Sequence, residues 1–119
     1  MAKTVEISGD GIKVIDTVTG KSNTLLLRAS ITVTTAGGFD DLAIPTATAT
    51  AIPFGSIAAA KVLAGVASVA TTLKVNGGSE STYILLGPWM LTNTSGTWTS
   101  ATLTQSSGAT VYDPVLVAG

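Results

Sequence analysis

Only a handful of residues in this chain could do chemistry, and their spacing argues against it. There is no His and no Cys, so neither a proton shuttle near neutral pH nor a thiolate nucleophile is available. General acid–base work would fall to carboxylates, of which only Asp40 and Asp41 are adjacent. Two acidic residues with no third nearby are a poor match for calcium, which takes six or more oxygens. Asp40-Asp41 is therefore expected to close a turn after Gly37-Gly38-Phe39, with no metal bound. Ser and Thr make up 31 of 119 residues, but none has a His or an evident Lys base in a recognisable nucleophile motif.

The remaining motifs are equally mute. Gly37-Gly38 and Gly77-Gly78 lack the surrounding pattern that cradles a phosphate, and read as turns. Asn93-Thr94-Ser95 matches a glycosylation sequon, a frequent coincidence in a chain so rich in hydroxyls. Tyr83, Trp89, Trp98 and Tyr112 could form a sugar-stacking platform, or could supply bulk to a core of small aliphatics. Exposure of Trp89 and Trp98 would separate the two. The reading of these residues is non-enzymatic and needs no cofactor.

Charge and polarity narrow the partners. Between Leu42 and Tyr112 only Lys61, Lys74 and Glu80 are charged, and the net charge is −1. That balance offers no attraction for nucleic acid or an anionic membrane. Charged residues are 11% of the chain, less than half the usual quarter or so, leaving a hydroxyl-rich surface suited to lying against other protein. The most apolar stretch, 57–70, is too short to span a bilayer and contains Lys61. The start, Met-Ala-Lys-Thr-Val-Glu-Ile, lacks the basic and apolar regions of a secretory signal. Synthesis in a host cytoplasm and release in a virion would suit both composition and start.

Positioning these residues are short segments punctuated by turn signals, the pattern of an all-β domain. Gly9-Asp10-Gly11 between Val5-Glu6-Ile7 and Ile12–Ile15 predicts a first hairpin over 4–16, within an N-terminal hairpin or arm over 1–20. A long strand is expected from Thr24 to Thr35, where Leu25-Leu26-Leu27 breaks the alternation and suggests burial on both faces or a contact between subunits. Thr46–Ile52 alternates Thr with Ala and predicts a strand bracketed by Pro45 and Pro53. The span 58–70 reads as a bulged strand around Gly65, despite its Ala content. Asn76-Gly77 predicts a hairpin returning through Thr82–Leu86, with Gly87-Pro88 turning the chain again into Trp89-Met90-Leu91. Strands follow at Thr97–Thr104 and Thr110–Val117, with Pro114 marking an edge or a bulge. The whole chain, 1–119, is expected to be one antiparallel, jelly-roll-like β-sandwich of eight or nine strands.

Beyond this residue-level reading, the pattern from Ile52 onward resembles small β-sandwich structural proteins from the virions of tailed bacteriophages. The matching residues are Ile52-Pro53-Phe54-Gly55, Thr72–Gly78, Leu85-Leu86-Gly87-Pro88, Leu103–Gly108 and Val111–Gly119. Val18-Thr19-Gly20-Lys21 before an alternating strand is similar but less specific. The resemblance implies a capsid decoration (cement) protein, or a neck, tail or fibre part, with the major capsid protein or other virion proteins as partners. Pro114 departs from the uninterrupted closing strand expected of such proteins. A homo-oligomer, a trimer, is expected, with Leu25, Leu26, Leu27, Ile52, Phe54, Trp89 and Trp98 as candidate interface residues.

Overall fold

A single 14-residue strand organises the molecule. The computed structural model describes residues 3–7, 12–15, 17–25, 29–36, 39–78, 82–93, 95 and 97–119, with backbone alone at 6–7, 12–15, 22–25 and 29–30. The strands are β1 (Lys3–Ile7), β2 (Ile12–Ile15), β3 (Ser22–Leu25), β4 (Ala29–Val33), β5 (Asp40–Ile44), β6 (Thr50–Ala51), β7 (Val62–Val75), β8 (Thr82–Thr92), β9 (Ala101–Gln105) and β10 (Val111–Ala118). Apart from one 3-10 turn at Asn76–Gly78, the described residues hold no helix. The fold is all-β, and every strand pair is antiparallel.

One edge of β7 pairs with β8 along nearly its whole length, from Val62↔Thr92 to Lys74↔Thr82. The other edge is shared. β10 occupies its first part, from Val62↔Ala118 to Gly65↔Val115, and β9 its last part, from Thr71↔Gln105 to Val75↔Ala101. β5 continues the β10 side and β6 the β9 side. The β7–β8 hairpin thus belongs to two four-stranded sheets, a front sheet β5-β10-β7-β8 and a back sheet β6-β9-β7-β8. A register shift between Ala67 and Thr71 marks the passage from one to the other, as a bulge bends and twists a strand.

Period-two alternation then fills one core from both sheets. Leu63, Val115, Val117 and Ile44 from the front meet Leu73, Val75, Ala101 and Leu103 from the back. The opposite face of the front sheet, Val62, Ala64, Leu116 and Ala118, is buried as well. It carries a second apolar cluster with Val33, against which Val5, Ile31 and Met90 pack. β1 and β4 form the two-stranded ribbon that supplies this cover. The Thr34 and Thr35 amides donate to the Gly119 carbonyl at 2.7 and 2.9 Å, and the Gly119 amide donates to the Thr35 carbonyl at 2.9 Å.

Several expected elements are rearranged. β1 pairs with β4 and β2 with β3, so 4–16 is not a hairpin. The long strand over 24–35 is split between β3 and β4, which belong to different sheets. Leu26 and Leu27 lie outside the described residues, and Leu25 is described only as backbone opposite Ile12. Of Thr46–Ile52, only Thr50–Ala51 is strand. Ala47 takes a positive φ of 55°, and Thr48 and Thr50 turn their hydroxyls onto the carbonyls two residues back, each at 3.2 Å. Those local bonds compete with a ladder. Gly87-Pro88 makes no chain-reversing turn, because β8 continues through it, with Gly87 at a φ of 76° beside the register shift. Asp40 and Asp41 sit in strand β5 rather than a turn.

Candidate functional site

Of the expected interface residues, the four beyond the Leu25-Leu26-Leu27 run have described side chains. Ile52 and Trp98 are buried in the main core, Trp98 at 7% exposure, and neither offers surface to a partner in the folded chain. Phe54 and Trp89 are half-buried against the same core. Trp89 lies across from Gly65 in the β7–β8 ladder. A Cβ at Gly65 would stand 3.0 Å from Trp89 Cζ2 and 2.5 Å from the Pro114 carbonyl oxygen. Gly65 therefore makes no bulge; it makes room for the indole. With Tyr83 also packed on the core and only Tyr112 well exposed, the four aromatics form no flat platform for a sugar.

The buried polar residues gather where β9 leaves β7 and β10 joins it. Thr71, Gln105 and Asp113 are the buried polar side chains among the described residues. Gln105 Nε2 donates to the Ile44 carbonyl at 2.9 Å and the Ala109 carbonyl at 2.7 Å. Its Oε1 accepts from the Ser107 amide and hydroxyl, both at 2.6 Å. All four positions of the amide are used, the condition for burying it without penalty. Asp113 accepts from the Ser68 hydroxyl at 2.7 Å and the Ser68 amide at 3.3 Å, giving bulge residue Ser68 a partner. The excursion 106–114 is fixed at both ends. Pro114 lies there, opposite Asp41 but short of the β7 ladder that begins at Val115, so β10 is an inner strand and its proline meets the bulge.

An open cavity of about 320 Å³ lies between the 53–57 loop and the β5–β10 pair, lined by Phe54, Ile57, Val115 and Val117 with Asp40 and Ser56. Asp40 and Asp41 are consecutive on β5, opposite Val115 and Pro114, and so face opposite sides of the sheet. Their carboxylates do not converge. Asn93 of the sequon is engaged locally: its Oδ1 accepts from the Ser95 amide at 3.1 Å and its Nδ2 donates to the Thr97 hydroxyl at 2.6 Å.

No family model, curated protein or solved structure matches this chain. The site has to be read from its own geometry, and that geometry points to the sheet edges. An open strand edge is a row of unpaired amides and carbonyls, and proteins that stay apart blunt such edges with charge, proline or brevity. Among the described residues the six-stranded sheet has three edge strands, β5, β6 and β8. β5 carries Asp40 and Asp41, and β6 is two residues long. β8 is 11 residues without a charge. Its second half is blunted by Pro88. The Asn93 amide donates to the Lys61 carbonyl at 2.7 Å, so by alternation the odd-numbered amides near it turn toward β7 and the position of Pro88 turns outward. The first half, Thr82–Leu86, has no such device, and Ile84 and Leu86 stand 81% and 71% exposed on it.

That bare edge borders the outer face of the back sheet. The ladder registers place Thr72, Lys74, Thr82, Ile84, Thr102 and Thr104 on this face, with one charge among them. Sequence reasoning read the Tyr83-Ile84-Leu85-Leu86 strand but not its edge position. Its alternating exposure, with Tyr83 and Leu85 half-buried and Ile84 and Leu86 outside, could have been suspected from a run of four large apolar residues on a strand that needs only two for the core.

Proposed function

We propose that this chain is a non-enzymatic structural protein of a virion, a capsid decoration or cement protein that binds as a homo-oligomer and clamps the shell lattice. The observation carrying the assembly role is the unblunted edge Thr82–Leu86 beside a hydroxyl-rich, almost uncharged sheet face. Such a face loses little on desolvation because few ions must be stripped of water. The virion setting rests on the resemblance to small tailed-phage β-sandwich proteins, and the partners on this reading are the major capsid protein or other virion proteins. A place in the neck, tail or fibre would use the same surface in the same way. Nucleic acid and membrane are not partners on this reading, and the protein is made in the host cytoplasm. A carbohydrate-binding module is disfavoured because Trp98 is buried and Trp89 is packed over Gly65.

The test is direct. Antibody raised against the purified protein is applied to density-banded particles from a lysate of the source. Label spread over heads, with heads stripped of the protein bursting at lower temperature, is the expected result. Unlabelled particles, with all the protein left in the soluble fraction, would overturn it.

A further inference from the structure

We infer that the Thr82–Leu86 edge is occupied by the same edge of a second copy, in an antiparallel pair with Ile84 on the two-fold axis. The inference deepens the reading of the chain as an assembly protein and rests on it.

Three features select this occupant. First, what completes a strand edge is another strand, because only an extended backbone matches its alternating donors and acceptors. Second, the other two edges are handled differently: β5 by Asp40 and Asp41, β6 by its two-residue length, and β8 itself beyond Gly87 by Pro88. Protection stops where Thr82–Leu86 begins, leaving five residues with no second strand partner among the described residues. Third, this stretch is complementary to itself. A two-fold contact uses one patch twice and requires that patch to tolerate its own copy. Centring the pair on Ile84 sets Ile84 against Ile84 of the second copy and Thr82 against its Leu86. No charge meets its like, and the two exposed apolar side chains of each chain gain cross-strand neighbours on the outer face of the joined back sheets. Directly opposed side chains in such a pair have Cβ atoms about 4.5–5.5 Å apart, close enough to pack.

The pairing closes as a dimer, in place of the trimer expected from the sequence. Because the chain has no cysteine, single-cysteine variants read the geometry without background. Ile84→Cys should cross-link to a covalent dimer under mild oxidation or with a short bismaleimide. Tyr112→Cys, exposed on the front sheet, should not. Light scattering should give a dimer for the native chain and a monomer for Ile84→Lys, whose far-UV circular dichroism stays native. Ala51→Lys, on β6 at the other edge of the back sheet, should stay dimeric. A monomeric or trimeric native chain overturns the inference, as does a dimer that survives Ile84→Lys or fails to cross-link through Ile84→Cys. A monomer that still labels particles overturns the self-pairing alone. A dimer that labels none overturns the virion role alone.

Discussion

Gln105 holds more of the fold than its type suggests. Its amide joins the end of β5 to the 106–109 turn, so truncation removes a buried bond to the Ile44 carbonyl and the side-chain acceptor of Ser107, while the Ala109 carbonyl keeps the Ser107 hydroxyl at 3.1 Å. Gln105→Ala should cost about 2 kcal/mol, since a buried polar group left unmet costs about 1–3, and urea titration would measure it. Asp113→Ala removes the partner of the β7 bulge and should cost about 2 kcal/mol on the same assay, as bonds to a charged acceptor do. Gly65→Ala tests a different force. Its methyl would press on the Pro114 carbonyl and the Trp89 ring, and overpacking of this kind costs about 1–3 kcal/mol. None of these roles was legible in the sequence. Gln105-Ser106-Ser107-Gly108 reads as a turn, and it is one, but a partner 61 residues away leaves no local trace.

At the scale of elements, hydrophobic run and turn chemistry were legible wherever pairing is local. The β7–β8 hairpin around Asn76-Gly77 follows from the turn residues and their apolar flanks, and Asn76 confirms its place with a φ of 52° and an Oδ1 that accepts from the Thr99 amide at 2.8 Å. Of the strand expected over 58–70, residues 58–61 lie outside β7, but from Val62 on the chain is strand despite its alanines, because tertiary pairing outweighs a helix preference of under 1 kcal/mol per residue. Long-range pairing was not legible. β1 passes over its neighbour in sequence to reach β4, and Asp10-Gly11 gives no hint of that. Thr46–Ile52 misled because perfect alternation of Thr and Ala describes composition; the small Ala face buries too little to hold a strand. The candidate site was half legible. Ile84 and Leu86 stand out as apolar excess, but edge position is a property of topology and appears only once β8 is seen to have one neighbour.

As a whole molecule, this is an antiparallel sandwich with an extra ribbon on one face, and far-UV circular dichroism should show strand with little helix. A helical signal above about a fifth of residues, well short of the roughly one-third average for globular chains, would contradict the fold. The three described carboxylates at Asp40, Asp41 and Asp113 do not gather, and among the described residues no group of three potential ligands forms. Chelator should leave the melting temperature unchanged; a fall of several degrees would reveal an ion that the strand geometry of Asp40 and Asp41 gives no reason to expect. β10 has a consequence of another kind. It is an inner strand of the front sheet, flanked by β5 and β7 and buried on both faces from Val115 to Ala118, yet it follows every other described strand in the chain. While a ribosome is still reading the codons before Val111, β5 and β7 have nothing between them, and both apolar clusters lie open. The nascent chain must therefore wait, and its pairing at long sequence separation makes the closing step slow, on the order of milliseconds to seconds. A fragment ending at Thr110 should remain unfolded and bind chaperone, whereas supplying residues 111–119 as a separate peptide should restore the sheet.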